Sequence, residues 1–307
     1  MEHNSKATAA TIGSLMALSA GAIWSFGAVT ARLADGSDAF QYLIWRSVGI
    51  IVVVESMALI QRRPHRVVEA FTSGRRMIAA NLMLLLASIG FVYAVKTTTA
   101  ANAAFLGSTT PLFGVVVARL FLDERLNRRT GFAIGLAFAG LAIMVAGDLE
   151  VGDLMGDVAA LAAAVGFACY TAIVRSAPGR DWAPVLPGYA VIMIGICGAV
   201  TLANGRPLAP PALDVTLALV HGGLFIVGGT LLYNSASRSV PAAAMTVFAQ
   251  TEMVLVPIWA FLVLAERPAT STLIGGSLIL VAVVGKALLD AREQRVVTGL
   301  PPVAPAA

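Results

Sequence analysis

Charge is scarce in this sequence. Only 12% of its 307 residues are Asp, Glu, Lys or Arg, where a soluble domain carries about 25%. A water-soluble fold of this length would need more polar surface, so lipid is the expected solvent for most of the chain. Cysteine is scarce too. Cys169 and Cys197 lie in apolar runs without metal-ligand spacing and read as small buried hydrophobes. No metal site is expected. The sequence has no His-Glu-x-x-His, no Gly-x-Ser-x-Gly and no phosphate-cradling P-loop, so direct ATP drive is disfavoured and no cofactor is implied. The pairs Gly147-Asp148, Gly152-Asp153 and Gly156-Asp157 raise an intramembrane-enzyme reading. They fall in or beside one short connection, however, where Asp157 is placed to cap a helix.

Apolar residues dominate instead, at 58%. Crossing a bilayer takes about 20 consecutive apolar residues. Segments 11–33, 40–61, 76–95, 99–121, 130–147, 154–175, 184–203, 215–237, 241–264 and 271–289 meet that need. The expected fold is all-α, a polytopic membrane protein of ten transmembrane helices with lipid as its surrounding. The net charge of +4 does not indicate nucleic acid, because the basic residues are scattered over short loops. With the N-terminus inside, only Arg32, Lys96, Arg206 and Arg267 fall in outer loops, and Arg46 lies within the second helix. The positive-inside rule then predicts cytoplasmic N- and C-termini. Residues 291–307, ending in a proline-rich stretch, are expected to be a disordered cytoplasmic tail.

The chain also repeats. A shift of 143 lays Gly13, Ala17 and Arg32 onto Gly156, Ala160 and Arg175. A shift of 142 lays Lys96, Leu122, Glu124 and Arg125 onto Arg238, Leu264, Glu266 and Arg267. Two units follow, 11–147 and 154–290, with five helices each. An odd number makes the second enter the membrane from the other side, giving the inverted repeats common in secondary transporters.

The stretch Gly90-Phe-Val-Tyr-Ala-Val-Lys96, with Asn102, Thr110-Pro111, Leu122-Asp123-Glu124-Arg125 and Gly131, resembles the EamA domain of the drug/metabolite transporter superfamily. Its second copy resembles it too, at Tyr233-Asn234, Arg238, Gln250, Glu252-Met253 and Glu266-Arg267. Trp24 and Arg46 sit where that family often has Trp and Arg. In place of a second Thr-Pro or Glu-Pro pair, this chain has Glu252-Met253, with the nearest proline at Pro257. The resemblance implies a central cavity lined by helices one, three, four, six, eight and nine. It also implies transport of small metabolites, and the chain looks most like bacterial amino-acid exporters of the inner membrane. Broader drug efflux and solute uptake remain alternative readings.

Within the membrane, Arg46, Glu55 and Glu252 are costly and are functional candidates by default. Glu252 is the sharpest, as a binder of a substrate ammonium or a site of proton coupling; Glu55 and Arg46 suit structural roles, Arg46 with room to snorkel. Asn81 and Ser88 share one helix face, as do Asn102 and Thr109 on the next helix. These four, with Asn234 and Gln250, supply candidate polar lining. Trp24, Phe91, Tyr170 and Tyr233 supply candidate aromatic walls around a small-molecule solute. His221 reads as hydrogen-bonded structure, and Glu124-Arg125 and Glu266-Arg267 as local charge pairs and caps.

Overall fold

The computed structural model describes residues 2–122, 128–148, 154–177, 180–236 and 251–298. Gln250, Glu124, Arg125, Arg238 and the residues after Thr298 lie outside them. Among the described residues all regular structure is helical. Helices α1 (Glu2–Leu33), α2 (Ala39–Ile60), α3 (Arg66–Thr72), α4 (Arg75–Thr97), α5 (Ala100–Gly107), α6 (Thr110–Leu122) and α7 (Arg128–Asp148) build the first half. Helices α8 (Leu154–Arg175), α9 (Val185–Ala203), α10 (Ala212–Val220), α11 (Val227–Ala236), α12 (Thr251–Leu264) and α13 (Thr270–Thr298) build the second, with a π-helical segment, His221–Ile226, joining α10 to α11.

Six of the described helical spans are long and apolar enough to cross a membrane, and shorter apolar helices stand beside them. Their outward surface is greasy: Leu59 is 74% exposed and Phe132 73%. Such exposure costs nothing against lipid and would be untenable against water.

Three features depart from the expected segments. The fourth segment is broken at Ser108–Thr109. Pro111 has no N–H to return to the preceding turn, which frees a carbonyl in an apolar setting. Hydroxyls answer: Ser108 Oγ donates to the Phe105 carbonyl at 2.6 Å, Thr109 Oγ1 to Leu106 at 2.5 Å and Thr110 Oγ1 to Gly107 at 2.8 Å. Second, the connection after α2 contains α3. Glu55 receives the Val67 N–H at 2.7 Å and stands 2.9 Å from His65 Nδ1, so it holds the start of this short helix. Third, α13 runs to Thr298, eight residues into the segment expected to be disordered. Residues 286–298 contain neither Gly nor Pro and are rich in strong helix formers.

Contacts between helix ends fix the directions of the two halves. One end of the bundle, the Lys96 face, gathers the end of α1, the start of α2 and the end of α4, where Lys96 donates to the carbonyls of Ala34 and Ser37. Gly156, at the start of α8, abuts Thr97 and Thr98 on that same face. The end of α8 reaches the opposite, α3 face, where Arg180 donates to the Ser73 carbonyl and Asp181 pairs with Arg66 at 3.1 Å. Burial works against the charge of Arg66, but Glu69 and Asp181 outweigh it and raise its pKa. Thus α1 ends where its sequence counterpart α8 begins. The halves are inverted.

Packing follows the same exchange. Helix α1 lies against α11 and α12, while α8 lies against α4, α5 and α6; α2 pairs with α9, and α7 with α13. Gly90 of α4 lets α8 approach so closely that a Cβ there would sit 2.5 Å from the Ala159 carbonyl oxygen.

Candidate functional site

Helix α1 contacts α4, α10, α11 and α12, α8 contacts α4, α5 and α6, and α5 contacts α12; the α2–α9 and α7–α13 pairs pack beside them. Side chains on α1 run back toward the helix start. Trp24 accordingly reaches toward the α3 face and meets Tyr233 of α11, their ring centroids 5.4 Å apart. The indole lies directly on Gly229, where any Cβ would collide with it. Further along, Phe26 stacks on Trp259 of α12 at 5.1 Å and tilts against Phe225 at 5.7 Å. Trp259 Nε1 donates to Ser25 Oγ at 2.9 Å. Glu252 precedes Trp259 by seven residues, two helical turns, and so shares its face of α12. Among the described residues its carboxyl has no hydrogen bond and no ion pair. Met253, its neighbour, comes with Phe91 of α4 onto Gly107 at the end of α5.

Other candidates are drawn into packing. Asn81 Nδ2 donates to the Ala70 carbonyl at 3.1 Å and so fastens α3 to α4. Ser88 accepts from Arg46. Neither is brought beside Trp24 and Tyr233; seven-residue spacing fixed their shared face but not the helices that face meets. Asn102 lies fully buried and accepts from Thr272 of α13 at 2.7 Å. Thr109 donates to Leu106 at the helix break. Tyr170 packs with Phe167 on α8 at 5.7 Å, and Asn234 is exposed near the end of α11. Arg46 does not snorkel. It is only 2% exposed, in the interior between α2, α4 and α9. His221 is buried and hydrogen-bonded: its Nδ1 lies 2.9 Å from Tyr42 Oη, which donates to Thr30 at 3.2 Å.

Sequence reasoning passed over one large feature. A basin of about 810 Å³ opens on the Lys96 face and is lined by Arg32, Asp35, Asp38, Lys96, Arg206 and Glu266, with Phe40 and Tyr93 among its apolar walls. Four of its charges are paired. Arg206 pairs with Asp38 at 3.3 Å, and Arg32 Nε donates to Glu266 Oε1 at 2.6 Å. Glu266 Oε2 accepts the Ala100 N–H at 3.2 Å, capping α5. Glu266-Arg267 is therefore no local pair; Glu266 reaches across the bundle while Arg267 is exposed. The clue was present in the doubled Glu-Arg and the Lys96/Arg238 match, which marked these ends as special without naming their partners. No group of His, Cys, Asp and Glu suited to a metal ion occurs among the described residues.

The chain matches the EamA-like transporter family over residues 11–146 and again over 154–286, and it belongs to that family. No curated protein matches it. It is similar in fold to a solved crystal structure that is 18% identical, with a TM-score of 0.63 over 92% of this chain and 98% of the other. The protein is thus a multi-pass membrane transporter of the drug/metabolite superfamily.

Proposed function

We propose that the protein exports amino acids or related small metabolites across a bacterial inner membrane. In this reading the two inverted halves alternate in exposing a solute site between them. The Lys96 face is the periplasmic side, both termini are cytoplasmic, and the charged basin is the outer vestibule. Drive comes from an ion or solute gradient. The observation that carries the reading is the Trp24–Tyr233 contact across the two halves, beside a helix that carries Glu252, whose carboxyl has no partner among the described residues. An aromatic wall and a lone carboxyl in an apolar setting suit a small ammonium-bearing solute or a proton exchanged for it.

Purified protein in liposomes loaded with labelled amino acids tests this directly. The expected result is release of chemically unchanged solute, with Glu252→Gln lowering flux or altering its pH dependence while folded protein is retained. Unaltered flux in that variant over a broad pH range would reject the coupling role. A chemically altered product would reject transport itself.

A further inference from the structure

Arg46 is an interior cation with no counter-charge paired to it among the described residues. Its side chain reaches Ser88 Oγ of α4 and, at 3.9 Å, Met193 Sδ of α9. Its Nε has no hydrogen-bond partner among the described residues. Among the described residues no carboxylate forms an ion pair with it. Guanidinium groups keep their charge in proteins, so burial cannot be relieved by losing a proton. An interior arginine ordinarily has a paired anion, since the desolvation cost is otherwise uncompensated. Here a serine hydroxyl and a thioether do the work of one.

The position is informative too. Arg46 follows Tyr42 by one turn on α2, and Lys96 Nζ lies 5.2 Å from the Tyr42 ring at the basin. Ser88 precedes Lys96 by eight residues on α4, a rise of about 12 Å. The guanidinium, held by Ser88, thus stands deeper in the bundle than Lys96 and the basin it lines. The backbone around it is tightly fixed: Gly222 of the π-helical segment lies against the Arg46 carbonyl oxygen. π-Helical turns recur at functional sites.

We propose that Arg46 recognises the carboxylate of the transported solute, with the unpaired Nε and the adjoining Nη2, held only by the neutral Ser88 and Met193, offered to its two oxygens. This rests on the transport reading and narrows it, to solutes that carry a carboxylate. The guanidinium is a planar fork that Lys cannot reproduce.

The test compares, in liposomes, flux of an equimolar mixture of labelled amino acids with flux of the same amino acids as their amides. Wild-type protein is expected to move the acids at least tenfold faster. Arg46→Gln is expected to lose acid flux while keeping that of the amides, and Arg46→Lys to fall between. If wild-type protein moves acids and amides equally well, the assignment of Arg46 fails and transport stands. That comparison needs no variant, so it holds even if Arg46→Gln does not fold. Equal loss of both fluxes in a folded Arg46→Gln protein would make Arg46 structural and overturn the proposal. If neither mixture moves in wild type, the amino-acid transport reading falls, and this inference with it.

Discussion

Arg32, near the end of α1, and Glu266, just past α12, form an ion pair across 234 positions of sequence. The chain reaches this geometry through Ala265, whose φ of 53° turns the backbone sharply after α12. Because Glu266 also caps α5, one carboxylate joins α1, α5 and α12 at the Lys96 face. The pair is partly exposed, with side chains 30% and 18% accessible. Its worth is therefore about 1 kcal/mol after screening.

Such a tie biases a conformational equilibrium without deciding the fold. Glu266→Gln is expected to raise the accessibility of the basin floor by roughly fivefold, the change that about 1 kcal/mol produces. The measurement is the labelling rate of Thr97→Cys by a membrane-impermeant reagent in a background without Cys169 and Cys197. An unchanged rate would show that the pair does not hold this face.

The π-helical segment offers a contrast between two glycines a short way apart. A Cβ at Gly222 would collide with the backbone carbonyl of Arg46 and come within 3.1 Å of Ile50 N, atoms that cannot move aside. Gly222→Ala is expected to cost 1–3 kcal/mol, about the usual penalty for overpacking. At Gly228 nothing among the described residues lies within 4 Å of such an atom. Gly228→Ala should be neutral or stabilise by up to about 1 kcal/mol, because alanine loses less freedom in a helix. Thermal unfolding of both variants in detergent, followed by size-exclusion chromatography, reads the difference. Equal behaviour of the two would contradict the packing described.

Thr272→Val removes the hydroxyl that bonds Asn102 while keeping the side chain's shape. Both residues are buried, at 1% and 0% exposure. Interhelical hydrogen bonds in membrane proteins are worth about 0.6 kcal/mol on average and rarely more than about 1.7 kcal/mol. A loss within that span is expected in a reversible unfolding assay in bicelles. A loss above about 3 kcal/mol would mean that Asn102 has a larger part than joining α5 to α13.

Much of this architecture was legible in the sequence, for definite reasons. Lipid demands long apolar segments with internally satisfied backbone, so hydropathy alone gives the helical class. Lys96 and Arg238, with the doubled Glu-Arg, pointed to two copies, and an odd helix number in each pointed to their inversion. Thr110-Pro111 marked a weak place, but a proline alone does not say whether a helix kinks or breaks; the three hydroxyls settle that. The π-helical turn at His221 was not legible, since it depends on how Gly222 meets α2, a contact with no local signature. Nor were the partners of Glu266 and Arg46. Spacing reveals which side chains share a face, whereas the neighbour opposite is set by tertiary packing.

The central claim is that two oppositely oriented halves surround one solute path. It is tested most directly by the sidedness of two exposed positions that follow counterpart helices, Asp35 after α1 and Ser176 after α8. In intact cells an impermeant thiol reagent should label Asp35→Cys, and Ser176→Cys only after the membrane is permeabilised. Labelling of both positions from the same side would contradict the account.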